Sequence, residues 1–424
     1  MKNIINELRS GSLDATLLPL YGAHIDARRE RLVSLCNAYC DYFGQNDDLS
    51  LFSVPGRSEL SGNHTDHNRG RVIAASIDLD IIAAATPRAD GVIRLKSEGF
   101  PEDTVNINEY TTPREDDFGR SSALIAGMVA GFRKKGYAVG GFDAYTTSNV
   151  LKGSGLSSSA AFEVMIGNIL NHLYNDGKID NVEIAKLAQF SENEFFGKPC
   201  GLMDQMACAV GGIVAIDFED TSSPVIEKVS FDFDGAGYKL CILDTGGNHA
   251  DLTPDYAAVP AEMKSVAAAL GKTVLREVDE TELLAAVPAL REKVGDRAVL
   301  RALHFFAENR RVGLQADALR GGRLDDFLAE VKKSGLSSYC YLQNVFTTRN
   351  VAEQGISLAL CLIERALSDK NAAWRVHGGG FAGTVQAYVP DYFVKEYAER
   401  LESVFGAGSC YVLRIRPEGA VRLA

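Results

Sequence analysis

What this chain lacks narrows the possibilities first. Its eight cysteines, Cys36, Cys40, Cys200, Cys208, Cys241, Cys340, Cys361 and Cys410, form no C-x-x-C pair. They are scattered through apolar surroundings and read as reduced thiols of a cytosolic protein, several of them in the core. A basic excess is missing too. Forty-four Lys and Arg residues face 56 Asp and Glu, a formal net charge of −12, which argues against a nucleic-acid partner. It leaves open a small phosphorylated ligand held by a local positive site. The most apolar stretch, Val72–Thr86, is interrupted by Asp78 and Asp80 and is no membrane span. Met1–Asp14 lacks an apolar core of signal-peptide type, so the expected location is the cytoplasm. No internal repeat or low-complexity tract appears.

What is present describes an ordinary globular chain. Apolar residues make up 46% and charged residues 24% of 424. Single cores rarely grow past roughly 250–300 residues, so two substantial domains are expected. Helical spacing marks Ala27–Phe43, Arg120–Lys135, Ser159–Tyr174 and Asn181–Phe196. Strand-like runs occur at Val72–Ala85, Gly91–Ser97, Phe142–Val150 and Gly212–Asp217, and Ser53–Gly70 reads as a compact loop. The second half alternates likewise: a strand at Tyr238–Asp244, alanine-rich helices between Pro260 and Arg320, and a helix over Val351–Leu367. Strands follow near Thr384–Val389 and Ser409–Ile415. The expectation is an α+β architecture of two lobes with a cleft between them, residues 1–217 and 218–424.

The most informative stretch is K-G-S-G-L-S-S-S-A-A-F, Lys152–Phe162. Gly153 and Gly155 permit close approach of backbone N–H groups to a polyanion. The helix that follows carries Phe162, Met165, Ile169, Leu170 and Leu173 at helical spacing, so its first turn aims free N–H groups at the loop. Ser154, Leu156 and the run Ser157, Ser158 and Ser159 complete a phosphate cradle whose hydroxyls suit phosphate oxygens or magnesium. A serine-rich N-cap and turn is the competing reading, nearly level on this stretch alone. A dinucleotide fingerprint wants Gly where Ser158 stands, and no Gly-Lys-Ser/Thr follows as a Walker loop requires.

Three further constellations accompany the cradle. In Val54–Gly70, Asn63, His64 and Asp66 offer a mixed donor and acceptor set for hydroxyls, and Arg57 suits a transferring phosphoryl group. A solvated loop is the alternative. In Gly197–Gly212, Asp204 stands either as a helix N-cap or as a general base for an attacking hydroxyl. Glu192, one helix upstream, is either surface charge or half of a magnesium site with a cradle serine. Val376–Thr384 (V-H-G-G-G-F-A-G-T) resembles an esterase oxyanion loop, but no G-x-S-x-G elbow matches it. Its glycines suit close approach of the second lobe to the phosphate cleft.

Taken in order, G-R-S-E-L-S-G-N-H-T-D-H-N-R-G from Gly56, G-L-S-S-S-A-A and C-G-L-M-D-Q resemble the GHMP family of small-molecule kinases, and within it the galactokinases. The resemblance runs from about Tyr42 to Val389. It implies the two-lobed GHMP kinase fold and transfer of the ATP γ-phosphoryl group to the anomeric hydroxyl of a hexose, with ATP and Mg²⁺ required. It implies Asp204 as the catalytic aspartate with Arg57 beside the transferred phosphate. Ser159 or Ser158, with Glu192, matches the metal ligands. Glu59, Asn63, His64, Asp66, Gly201, Asp204 and Tyr256 fall where galactokinases contact sugar. Four departures bear on specificity. Asn63 stands where a sugar-binding glutamate is usual, His67 replaces a tyrosine and Glu59 an asparagine. The basic residues that usually follow Tyr256 are missing from Ala257–Met263. Galactose is the first choice of sugar, with galacturonate, an amino sugar or arabinose open. A non-catalytic sugar sensor is the reading from another class.

Overall fold

A computed structural model describes residues 2–22, 25–150, 155–198, 200–247 and 252–424. Three helices come first, α1 (Lys2–Ser10), α2 (Asp14–Tyr21) and α3 (Ile25–Phe43). Leu32, Leu35, Cys36 and Tyr39 of α3 pack with Leu51, Ile82 and Ala84 of a large sheet. That sheet contains β1 (Ser50–Ser61), β2 (Arg71–Arg88), β3 (Val92–Ser97), β4 (Glu102–Asn106) and β5 (Gly141–Ser148). It is completed by β6 (Ile213–Asp217), β7 (Val225–Val229) and the short C-terminal β12 (Val421–Arg422). The main path is β12-β1-β2-β5-β3-β4, with β6 and β7 branching from β2. The branch is possible because β2 is 18 residues long. Its first part, Arg71–Ala75, pairs with β6, and its last part, Ile81–Arg88, pairs with β5.

Helices α4 (Ser121–Lys134), α5 (Ser158–Tyr174), α6 (Asn181–Phe190) and α7 (Met203–Val210) bury their apolar sides against this sheet. Strands covered on both faces lose the clean polar alternation of a half-exposed sheet, which explains the near-continuous apolar run in β2. The helix expected through Phe196 ends at Phe190 and continues as a wider π turn over Ser191–Phe195. Such turns break the regular ladder and re-aim side chains, here that of Glu192.

A second sheet orders as β11-β8-β10-β9, from β8 (Tyr238–Asp244), β9 (Ala373–Val376), β10 (Thr384–Pro390) and β11 (Cys410–Leu413), all antiparallel. Period two decides which way β10 faces. Val385, Ala387 and Val389 pack with α12 (Gly355–Leu367) and α13 (Val394–Phe405). Gln386 and Tyr388 face the first sheet, where Tyr388 meets Phe327 of α11 (Leu324–Ser337) edge to face at 5.1 Å. Helices α8 (Thr253–Ala269), α9 (Glu280–Val294) and α10 (Asp296–Arg320) build a third cluster around Val259, Leu283 and Phe305. Among the described residues, no helix is long and apolar enough to cross a membrane.

One expectation needs correction. Ser53–Ser61 is not loop but the body of β1, and every residue of that strand is buried. Ser58 and Glu59 misled the reading because partners of both arrive from more than 300 residues away. Gln386 donates to Ser58 Oγ at 3.0 Å, and Arg375 pairs with Glu59. Only Gly62–Gly70 remains as the connecting turn, with His64 and Arg69 at φ +60°.

Candidate active site

Strand β1 presses directly on the glycine-serine loop. The Arg57 amide donates to the Leu156 carbonyl at 3.1 Å. A Cβ on Gly56 would stand 2.8 Å from that carbonyl, so glycine is what allows strand and loop to meet. Gly155 (φ +72°) and Ser157 (φ +57°) turn the chain into α5, which begins at Ser158. Gly153 and Ser154, both expected in the cradle, lie outside the described residues. Ser158 and Ser159 line a cavity of about 850 Å³ whose walls include Phe100, Phe162 and Phe196. A large cavity with aromatic and polar walls, ending at a helix start, is a fitting place for a nucleotide, with the base against the aromatics and phosphates at the free N–H groups.

Asp204 sits in the first turn of α7 and faces this helix start. Arg57 clasps it with two parallel bonds, Nε to Oδ1 and Nη2 to Oδ2, both 2.7 Å. Arg57 Nη1 donates to the Gly155 carbonyl, and Ser157 Oγ donates to Asp204 Oδ2. The arginine is 8% exposed, whereas the aspartate side chain keeps 33% of its surface open. Burial pushes the Asp204 carboxyl up, but the Arg57 charge and the bonds from Arg57 and Ser157 outweigh it and hold it below the usual range. Asp204 is therefore an ionised acceptor with one face free.

Glu192 lies beside this pair, buried, with each oxygen taken. Lys198 Nζ meets Oε1 at 2.9 Å and Gln205 Nε2 donates to Oε2 at 2.7 Å. Gln205 Nε2 also lies 3.2 Å from Glu163 Oε2. Burial and the neighbouring Glu192 carboxylate drive the Glu163 carboxyl well above its usual range. The donor chemistry fits magnesium, which favours hard oxygen ligands and few carboxylates. Among the described residues no trio of His, Cys, Asp or Glu forms a closed metal cage, so an ion held by Glu192 and Ser158 or Ser159 would complete its shell with phosphate oxygens and water.

The remaining predicted side chains gather around the glycine-rich segment after β9. Asn63 Nδ2 donates to the Gly378 carbonyl at 2.6 Å and reaches Glu59 Oε1 at 3.3 Å. Its Oδ1 accepts from Asn344 at 2.8 Å and from Ser338 at 3.3 Å. His64 Nε2 donates to the Gly379 carbonyl at 2.9 Å, and Tyr256 Oη to the Gly380 carbonyl at 2.8 Å. Burial and the adjacent His67 lower the His64 pKa to about 4, so His64 is neutral at physiological pH. Asp66 borders Gly201, where an added Cβ would stand 3.0 Å from Asp66 Oδ2. Glu59 Oε1 is shared between Asn63 and the fully buried Arg375.

Sequence reasoning missed Lys198, Glu163, Gln205, Asn344 and His377. Glu163 left a signal, a lone acid on an otherwise apolar helix four residues beyond Ser159. His377, bonded to Ser58 at 3.1 Å and Thr384 at 2.9 Å, stood in a segment valued only for its glycines. Lys198 and Asn344 left none.

A helix start lining a cavity, with an arginine-clasped carboxylate bonded to the residue just before it, suits a small-molecule kinase. Residues 119–212 match the GHMP kinases N terminal domain, and residues 37–87 match the galactokinase galactose-binding signature. The chain is 30% identical over 370 residues to a galactokinase of Streptomyces coelicolor, covering 86% of this chain and 91% of that one. It is 32% identical over 353 residues to a galactokinase of Mycobacterium tuberculosis, covering 82% and 91%. A crystal structure of Lactococcus lactis galactokinase complexed with galactose superposes with a TM-score of 0.77 at 25% identity, covering 92% of this chain and 99% of that one. The chain belongs to the galactokinase family and is a phosphotransferase that acts on a sugar hydroxyl with ATP and Mg²⁺.

Proposed function

We propose that this chain phosphorylates the anomeric hydroxyl of galactose to give galactose 1-phosphate. The observation that carries this reading is Asp204, ionised, clasped by Arg57 and open on one face beside the start of α5. In the reaction, the anomeric oxygen attacks the γ-phosphorus, its proton passes to Asp204, and the bond to the β-bridging oxygen breaks to release ADP. Arg57 is placed to neutralise charge on the transferring group, and the α5 start with Ser157, Ser158 and Ser159 holds the phosphates. Glu192 with Ser158 or Ser159 would hold magnesium, which would supply charge neutralisation for the phosphates. In a loose phosphoryl-transfer transition state the hydroxyl loses its proton late, so a low-pKa acceptor suffices.

Sugar reading falls to His64, Asp66, Tyr256 and the backbone near Gly201, with Asn63 and Glu59 behind them. The two lobes take residues 1–217 and 218–424, with β7 and β12 of the second part returning to the first sheet, and the location is the cytoplasm. A second reading keeps the reaction and changes the sugar. It is favoured by Asn63, whose four hydrogen-bonding positions are all occupied by protein groups. ADP release measured over a panel of galactose, galacturonate, galactosamine and arabinose tests both. Highest kcat/KM on galactose supports the first reading, and turnover on galacturonate without galactose replaces it with the second. Sugar binding without any turnover would leave a sensor.

A further inference from the structure

We propose that Lys198 is the resident counter-ion of Glu192 and the group that a divalent cation must displace to reach that carboxylate. The inference rests on Glu192 being the metal-binding carboxylate. Glu192 has a side chain only 3% exposed, whereas that of Lys198 is 61% exposed, yet Lys198 Nζ lies 2.9 Å from Glu192 Oε1. The two oxygens of Glu192 are held differently. Oε2 accepts from Gln205, which is fully buried and anchored in α7. Oε1 accepts from an ammonium that arrives from solvent on a flexible four-carbon stem. Oε1 is therefore the oxygen whose partner can leave.

A buried carboxylate stripped of its partner is strongly unfavourable. A kinase whose metal enters and leaves with the nucleotide exposes such a carboxylate in every cycle, and Lys198 covers that interval. An ammonium in contact with Oε1 and a divalent ion on the same carboxylate repel each other at close range, so metal entry moves Lys198 off. Phe196, two residues earlier, lines the cavity assigned to the nucleotide, so the released ammonium stays close to it. A free triphosphate, short of its metal, would draw on the same charge.

Mn²⁺ as a magnesium substitute, titrated into the full chain with AMP-PNP present and followed by the EPR signal of free Mn²⁺, tests this directly. Lys198→Met removes the competitor and is expected to tighten Mn²⁺ binding by about two- to fivefold, the worth of a part-exposed ion pair. Lys198→Arg is expected to stay near wild type. Should Lys198→Met not fold, Lys198→Gln carries the same test. Unchanged or weaker Mn²⁺ binding in the charge-removed variant overturns the proposal. Glu192→Gln separates it from its premise: undiminished Mn²⁺ affinity there removes Glu192 from the metal site, whatever Lys198 does.

Discussion

Asp80 in β2 and Asp204 in α7 both meet arginine inside the same half of the molecule, yet their surroundings differ in kind. Asp80 is sealed, with a side chain 0% exposed. It accepts from Tyr21 Oη at 2.6 Å, from Ser53 Oγ, from Arg31 and from Arg416, itself 0% exposed. Burial pushes its carboxyl up, but the charges of Arg31 and Arg416 and these hydrogen bonds win and hold it at about 2. Asp204 has one arginine, one serine and an open third. Similar ion-pair chemistry thus ties sheet, helices and C-terminus together where it is closed on all sides, and offers a proton acceptor where one side is left unfilled.

The contrast is broken most forcefully at Asp204. Asp204→Asn is expected to fold with a nearly unchanged melting temperature and to lose about 10²–10⁴ in turnover, read by ADP release on galactose; turnover near wild type would remove Asp204 from the acceptor role. Asp80→Asn should do the reverse. It strands the buried Arg416 and is expected to cost about 3–5 kcal/mol in urea unfolding, while activity per folded molecule is kept. Loss of turnover without loss of stability would erase the distinction drawn between the two sites.

The pH dependence sharpens the same point. The folded Asp80 carboxyl lies at about 2, below its ordinary 3.8, so its contribution to stability is fully present above pH 3.8. That contribution is lost as pH falls through the folded value. Urea unfolding of the wild type between pH 5 and 2 should therefore fall more steeply than that of Asp80→Asn. Parallel slopes would show that Asp80 is not the group responsible. The smallest effect is expected at Asn63. Asn63→Glu should shift the kcat/KM ratio toward galactose over galacturonate, because a carboxylate repels the C6 carboxylate, and an unchanged ratio would show that this position does not set the sugar.

The turn into α5 was legible because glycine and serine punctuate it and helical periodicity restarts immediately afterwards; α5 begins one residue from its expected start. Asp204 and Arg57 were legible as residue types in suitable segments, but not as a bidentate pair, since 147 positions separate them. Strand β1 was misread because Ser58 and Glu59 look solvated until Gln386 and Arg375 arrive from the second sheet. The occupied state of Asn63 was equally invisible, because Asn344, Ser338 and Gly378 come from distant elements. Local signals reveal caps, turns and apolar periods, and give little on which distant polar groups satisfy one another.

The central claim is that the triphosphate ends between the start of α5 and the open face of Asp204. A crystal structure with AMP-PNP, Mg²⁺ and galactose tests it most directly. The account predicts the γ-phosphate within hydrogen-bonding reach of Arg57 and the α5 N–H groups, with the anomeric hydroxyl against Asp204. A triphosphate bound elsewhere, remote from that carboxylate, would contradict it.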